Sequence, residues 1–384
     1  MDRVLVLGSG NGGLATAGDL SLRGLEVHLG ELPGFEKGLE PVRSRGGIQL
    51  DALPSTGLKE GFAPVNVVDQ ELGSFLKAFQ GLILAVMPAF AHRTAARLLA
   101  PHIHGSQILV LCPGYMGVLE LVLELASLGR DHLLGQGLIL GEMESLIYAC
   151  RKKDEGTIWV RGYKRGLRAA AFPASQTEGL MRALDGKFDQ MEAAENVLES
   201  ALSNANALIH TPLMLLNGAR IESPGDFLFY HEGMTPSVGR LIESMDRERL
   251  EIGQSYGLQE LRDIFNQDLG WYKHQGASGQ NIYDTHITNP IYRWSKAPGS
   301  LEHRYVTEDV PYGLVLMEEL ARPVSAECPT ISSVITVFSA LLDQDLRDGA
   351  RTLNSLGIGG LSADEITRLV DRGDLSEVGQ SRRG

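Results

Sequence analysis

Cysteine is scarce. Cys112, Cys150 and Cys328 are the only three in 384 residues, and they have no metal-ligand spacing. That excludes a disulfide framework and a cysteine metal site, and it fits a reduced cytosol. Positive charge is also short: 35 basic residues face 48 acidic ones, a net charge of −13. A chain with no basic stripe is poorly suited to nucleic acid or anionic membrane. Long apolar runs are missing as well, since Met116 to Leu128 is broken by Glu120 and Glu124. Nothing there spans a bilayer. The start has no basic region followed by an apolar signal, because a strand pattern opens at Arg3. The expected location is therefore cytoplasmic. No internal repeat is present.

What is present is apolar content for more than one core: 43% of residues are hydrophobic, and two domains are expected at this length. Val4-Leu5-Val6-Leu7 is a continuous apolar run, as in a strand covered on both faces. Further runs follow at Glu26–Leu29, Leu82–Val86, Ile108–Leu111 and Gly137–Leu140, with helical segments between strands, such as Gly12 to Arg23. This βαβ alternation predicts an α/β domain with a doubly wound parallel sheet. Residues 46–68 read as a hairpin insertion. Thr157 to Pro173 reads as a second hairpin around Gly162–Gly166.

Near residue 185 the character changes to helix. Segments are expected at Glu192–Ile209, Thr235–Tyr256 (Thr235 as N-cap, Pro236 at N1), Glu318–Leu320, Ile331–Leu342 and Ala363–Arg372. The expected organisation is a dinucleotide-binding domain over 1–185, a helical domain over 186–378 and a tail over 379–384.

Gly8-Ser9-Gly10-Asn11-Gly12-Gly13 fits G-x-G-x-x-G directly after a strand and at the start of a helix. Gly8 suits the tight turn, and Gly10 lets backbone approach a pyrophosphate. Gly13 lets helix pack closely on strand. The helix N-terminus faces the phosphates. Glu31 ends the second strand about twenty residues on, where a carboxylate accepts from ribose hydroxyls and repels a 2′-phosphate. NAD(H) is thus the expected cofactor, with NADP(H) as the alternative. A solvated loop charge is the other reading of Glu31. Met87-Pro88 and Cys112-Pro113 follow two further strands and should border the nicotinamide end, unless they are ordinary strand-ending turns.

In the second half, Ser203-Asn204-Ala205-Asn206-Ala207-Leu208-Ile209-His210-Thr211-Pro212 places a histidine where Pro212 should bend or restart a helix. Histidine is the side chain best suited to move protons near neutral pH. A hundred residues on, His303-Arg304-Tyr305-Val306-Thr307-Glu308-Asp309-Val310-Pro311-Tyr312-Gly313 holds an arginine and a carboxylate five apart among turn residues.

With these blocks read, the chain resembles the opine dehydrogenases, the family of octopine and N-(carboxyalkyl)amino acid dehydrogenases, from the glycine loop to about Leu369. Supporting stretches are Pro88–His92, Glu144–Arg151 and Gly349–Gly357. The resemblance implies a Rossmann domain followed by a helical one, with the active site in the cleft between them. It implies that His210 is the catalytic histidine, Asp309 its paired carboxylate and Arg304 the anchor for a substrate carboxylate. Glu144 and Ser145 match substrate contacts. Ile147 replaces a common proline, and Asn206 stands where some members carry an aromatic substrate contact. Both departures bear on the pocket. The simpler alternatives are that Asp309 caps a turn, Arg304 makes a domain-interface ion pair and Glu144 pairs with Arg151. Cys150 is expected to be a small apolar filler rather than a nucleophile.

The reaction so implied is a reductive condensation. An amino acid amine attacks a 2-oxo acid such as pyruvate, water leaves, and hydride from the cofactor yields a secondary-amine dicarboxylate. It needs a guanidinium for a carboxylate, one acid–base group, and a carboxylate behind that group. Arg304, His210 and Asp309 supply one of each, the last two as a unit across the cleft. A reductase of a simple 2-oxo or hydroxy acid would need no second amino acid, and a nucleotide-binding sensor would not turn over. The long amphipathic helices allow a homodimer.

Overall fold

The computed structural model describes residues 2–68 and 71–375. Two compact units divide the chain, Met1–Ser200 and Ala201–Gly384. The expected tail at 379–384 lies outside the described residues.

The first unit is built on an eight-stranded sheet, its order β12-β11-β8-β7-β6-β1-β2-β5. The strands are β1 (Arg3–Leu7), β2 (Glu26–Gly30), β5 (Asn66–Val67), β6 (Gly81–Val86), β7 (Gln107–Cys112), β8 (Ile139–Met143), β11 (Arg168–Phe172) and β12 (Glu192–Ala193). All neighbours run parallel except β8 and β11. The central strands are mainly apolar, and β6 and β7 are buried along their whole length because helices cover both faces. Strand order reverses between β1 and β6. Such a reversal leaves a crevice at the carboxyl ends of the strands.

A second sheet, β4-β3-β10-β9, is formed by β3 (Gly47–Ala52), β4 (Gly61–Pro64), β9 (Tyr148–Asp154) and β10 (Thr157–Tyr163). The helix Asn11–Leu22 lies between the two sheets, which is why it is buried from Gly12 to Leu20. Its small residues permit this: a Cβ on Gly18 would come within 3.0 Å of Leu50. One polar group is carried inside. Asp19 is held by Arg23 at 3.0 Å and by the Tyr148 hydroxyl at 2.8 Å, and burial pushes its carboxyl above the usual range despite Arg23.

Three expectations need correction here. The insertion at 46–68 does contain an antiparallel pair, β3 with β4, but β5 leaves it to extend the main sheet. Residues 157–173 are not a hairpin, because β10 and β11 belong to different sheets. The hairpin is β9–β10, turning at Glu155-Gly156, with Gly156 in the left-handed region at φ +96°. The first unit also reaches beyond residue 185, since β12 pairs with β11 through Arg168–Glu192 and Ala169–Ala193.

In the second unit the described residues contain no strand pairing beyond one bridge, Leu228 with Lys296. Its helices include Asn206–Leu216, Pro236–Ser255, Ile264–Tyr272, Ile282–Thr288, Val315–Ala321, Pro329–Leu341 and Ala363–Arg372. Thr235 caps the second of these by accepting from the Val238 N–H at 3.3 Å. Ser362 and Glu365 form a capping box at the last. The expected single helix 192–209 is instead a strand, a short helix Val197–Leu202 and a new helix from Asn206. The break comes before His210, where the Asn204 side chain takes the backbone N–H of Asn206 at 3.1 Å. Pro212 sits inside the helix rather than ending it.

Candidate active site

In the first unit, the glycine loop joins β1 to the helix Asn11–Leu22. Gly8 adopts φ +117°, and a Cβ there would lie 2.2 Å from the Val86 carbonyl oxygen on β6. A Cβ on Gly13 would lie 1.8 Å from the Gly8 oxygen, whereas one on Gly10 meets nothing within 4 Å. The loop is therefore closed at Gly8 and Gly13 and open at Gly10. The first intrahelical bond runs from the Leu14 N–H to the Gly10 oxygen, and no side chain caps the end. The N–H groups of Asn11, Gly12 and Gly13 thus lie in the first turn, where intrahelical acceptors are lacking. A diphosphate fits this loop in both shape and charge.

Glu31 follows β2. Its Oε2 accepts from the Ser9 N–H at 2.6 Å and from the Ser9 hydroxyl at 2.7 Å, and its Oε1 from the Leu32 N–H at 3.0 Å. It is a held carboxylate beside the loop, not a solvated charge. Asn11 turns its side-chain oxygen to the backbone of Lys152 at 3.0 Å. Met87-Pro88 and Cys112-Pro113 end β6 and β7, so with Gly8 they sit at the carboxyl ends of three adjacent strands. After Pro113 the chain turns through Tyr115 and Met116, both in the left-handed region. The buried Glu142 carboxylate accepts from the Met116 N–H at 3.0 Å. Burial pushes the Cys112 thiol up to about 12, so it carries no nucleophilic thiolate near neutral pH.

Glu144 and Ser145 follow β8 and are buried. Arg151 is exposed on β9. The Ser145 hydroxyl accepts from Lys164 Nζ at 2.6 Å. Lys164 is a buried cation that the sequence reading did not single out; only its place in the glycine-flanked turn 162–166 hinted at it.

In the second unit, His210 and Asp309 meet directly: Nδ1 lies 2.6 Å from Asp309 Oδ2. Both belong to this unit, so the pair is assembled within one unit rather than across two. Asp309 opens a π-helical turn, Asp309–Leu314. Pro311 has no N–H to offer the Thr307 carbonyl, which widens the coil, and such turns recur at functional sites. An ionised carboxylate only accepts, so Nδ1 carries the proton and Nε2 of the neutral ring is the accepting nitrogen.

Two tyrosines complete the surroundings. The Tyr230 hydroxyl lies 2.8 Å from His210 Nε2 and 3.2 Å from the Tyr305 hydroxyl. The Tyr305 ring stacks on the imidazole at 3.9 Å between centroids and 24° between planes. Tyr230 was missed by the sequence reading; Phe229-Tyr230-His231, just before the Thr235 cap, was its one signal. Behind Tyr230 lies Tyr292, with ring centroids 4.7 Å apart, and the Tyr292 hydroxyl donates to Asp268 at 2.6 Å. Burial raises the phenols of Tyr230 and Tyr292 well above their usual range and lowers the His286 imidazole.

Asn206 lies one turn before His210 on the same helix and is half-buried, so both side chains occupy one face. Arg304 precedes Tyr305 in a one-turn helix, Arg304–Thr307. It is half-exposed and pairs with the buried Glu308 at 3.1 Å. Among the described residues no group of His, Cys, Asp and Glu could hold a metal ion. No described helix is long and apolar enough to cross a membrane.

A dinucleotide loop on a parallel sheet, followed by a helical unit carrying a carboxylate-backed histidine, defines a nicotinamide-dependent oxidoreductase. Residues 193–342 match the family model described as NAD/NADP octopine/nopaline dehydrogenase, alpha-helical domain. The chain is 35% identical to an opine dehydrogenase of Arthrobacter sp. (strain 1C), over 95% of this chain and 98% of that one. The fold is similar to that of octopine dehydrogenase with NADH and L-arginine, with a TM-score of 0.75 at 20% identity over 95% and 97% of the two chains. It is also similar to NADP+-bound yersinopine dehydrogenase, with a TM-score of 0.63 at 13% identity over 100% and 99%. The chain belongs to the opine dehydrogenase family. It is an oxidoreductase acting on CH–NH bonds, which joins an amino acid amine to a 2-oxo acid by reductive condensation with a nicotinamide dinucleotide.

Proposed function

We propose that His210 is the acid–base group of this condensation, Asp309 its orienting carboxylate, and Arg304 the anchor for one substrate carboxylate. The observation that carries the reading is the 2.6 Å contact between His210 Nδ1 and Asp309 Oδ2. With Nδ1 committed to Asp309, Nε2 is the nitrogen that exchanges a proton with the substrate ammonium. The same nitrogen later gives it to the departing hydroxyl as water leaves. Arg304 offers a planar fork that suits a carboxylate better than an ammonium would. When bound, the reduced nicotinamide supplies the hydride.

The loop residues Gly8, Ser9, Gly10, Asn11, Gly12 and Gly13 hold the diphosphate, and Glu31 takes the ribose hydroxyls. Met87, Pro88 and Pro113 border the nicotinamide. The like-charge repulsion that Glu31 imposes on a 2′-phosphate makes NAD(H) the preferred cofactor. Glu144 and Ser145 in the first unit and Asn206 in the second are substrate contacts, and the oxo acid is small, such as pyruvate. The buried carboxylate of Glu144 favours an amine-bearing or otherwise polar amino acid. The enzyme works in the cytoplasm, with the long helices of the second unit as the surface for a homodimer.

The test is a matrix of amino acids against 2-oxo acids, followed by NADH consumption and by mass spectrometry of the product. A secondary-amine dicarboxylate is expected. Equal NADH consumption by an oxo acid alone would instead make the chain a simple oxo-acid reductase.

A further inference from the structure

The nitrogen that must exchange a proton, His210 Nε2, does not stand alone. It faces the Tyr230 hydroxyl at 2.8 Å, and that hydroxyl in turn donates to the Tyr305 hydroxyl at 3.2 Å, the arrangement that goes with the charged ring. Tyr230 is buried while His210 and Tyr305 are both half-buried, so the line of polar hydrogens joins two partly open rings through a buried hydroxyl. The rings are fixed: Tyr230 packs on Phe229 and Tyr292, and Tyr305 lies flat on His210 and on Phe229.

We propose that Tyr230 is a positioning residue of the reaction, and that the Tyr230–Tyr305 hydroxyl pair is the path by which His210 Nε2 exchanges its proton. The proposal rests on the reading of His210 as the acid–base group. With the ring neutral, Nε2 accepts from the Tyr230 O–H. A proton arriving at the Tyr305 oxygen displaces the hydrogen of Tyr305 onto the Tyr230 oxygen, and the hydrogen of Tyr230 passes to Nε2. One N–H bond forms, each phenol loses one O–H bond and gains another, and the net change is a single proton on His210. The charged ring then donates to the Tyr230 oxygen, which donates to Tyr305. Nε2 has a partner in both states, whereas a fixed acceptor or a fixed donor would serve only one. Tyr230 passes hydrogen as a neutral phenol, because burial, then Tyr305 and Asp309, hold its ionisation well above the usual range.

The ionisable groups around this ring are few. Asp309 is on Nδ1, and Tyr305 lies across the face. Behind Tyr230 stand Tyr272, Tyr292, His286 and Asp268. Arg304 pairs with Glu308 at the two ends of the short helix that carries Tyr305, and the His303 ring packs edge-on against Tyr305 at 4.4 Å. The helix Pro329–Leu341 contributes none. In the helix Pro236–Ser255 the buried pair Asp246–Arg249 is closed on itself and on the carbonyls of Leu202 and Arg262. None of these replaces the hydroxyl on Nε2.

The experiment is the pH dependence of kcat and kcat/KM in the condensation direction for the parent enzyme, Tyr230→Phe, Tyr305→Phe and Tyr292→Phe. Tyr230→Phe keeps the ring and removes the relay. Its kcat should fall about 10-fold or more, with the KM for NADH unchanged. The limb of the profile set by His210 should move about one unit toward lower pH, because the charged ring loses a hydrogen-bond acceptor. Tyr305→Phe cuts the same path at its outer end and should lower kcat likewise; it decides the matter if Tyr230→Phe does not fold. Tyr292→Phe removes a buried bond to Asp268 and should lower the melting temperature without moving the profile. Parental profiles and turnover in both Tyr230→Phe and Tyr305→Phe would overturn the relay. The reading of His210 would still stand if His210→Ala were inactive. Turnover retained by His210→Ala would remove that reading and the relay with it.

Discussion

Ser9 gives both its backbone N–H and its hydroxyl to one oxygen of Glu31, at 2.6 and 2.7 Å. The carboxylate that follows β2 is thereby pinned to the glycine loop, and on the proposed reading its charge stands where a 2′-phosphate would come. The parent enzyme should therefore show higher kcat/KM with NADH than with NADPH. Glu31→Gln keeps an acceptor but removes the charge, so the NADH/NADPH ratio should fall by about 10-fold, the equivalent of roughly 1.4 kcal/mol. Equal or better efficiency of the parent with NADPH would contradict this account.

The loop makes a second, contrasting prediction. Gly10→Ala meets open space, so the melting temperature should stay near the parent's while the KM for NADH rises, because the methyl stands where the pyrophosphate approaches. Gly13→Ala drives a Cβ to 1.8 Å from the backbone oxygen of Gly8. Backbone cannot swing aside as a flexible side chain can, so stability should drop by about 1–3 kcal/mol. Denaturant melts of the two variants, with NADH titrations alongside, separate the cases.

Removing the imidazole in His210→Ala should cost on the order of 100- to 10,000-fold in kcat. Asp309→Asn keeps the shape but loses the orienting charge, and kcat should fall while NADH binding, read by fluorescence, holds. Arg304→Lys should raise the KM for one of the two substrates, because an ammonium does not reproduce the bidentate fork. Which substrate responds identifies the carboxylate that Arg304 holds.

Acid sensitivity should trace in part to Glu318. Arg347 grips its carboxylate through two bonds of 2.7 Å, and the Ser332 hydroxyl adds one of 2.6 Å. These bonds, Arg347's first, hold its ionisation below the ordinary carboxyl value of 4.5. A depressed folded value stabilises the protein above the unfolded value, and the contribution is lost as pH falls through the folded one. Arg347→Met should therefore cost about 1–3 kcal/mol near neutrality, and its unfolding free energy should depend less on pH below 4.5 than the parent's. Urea melts between pH 3 and 7 measure the difference.

Much of this was legible in the chain. The strand runs at Val4 and Leu82 are apolar without alternation, which only a sheet covered on both sides explains, and β1 and β6 are those strands. Thr235-Pro236 announces a helix start by local hydrogen bonding alone, and the helix begins there. The failures share one cause. Whether β10 pairs with β9 or β11, and whether Glu192 lies in a helix or a strand, is decided by distant partners that local pattern does not carry. The candidate site divides in the same way. His210 is marked by its place just before Pro212, and its pairing with Asp309 is what the family resemblance implies. Tyr230, twenty residues from His210 and seventy-five from Tyr305, looks like any aromatic until the fold brings the three hydroxyl and imidazole groups together.

Asn206 and His210 sit one turn apart on a single helix, yet they are held very differently. The imidazole is gripped by Asp309 on one nitrogen, Tyr230 on the other and Tyr305 across its face, while the Asn206 side chain is half-buried at the helix start. On the proposed reading of Asn206 as a substrate contact, its exchange for a larger or smaller residue would reshape what is admitted without retuning the proton chemistry next to it. Substrate range can thus drift at one end of a helical turn while the machinery at the other end stays fixed.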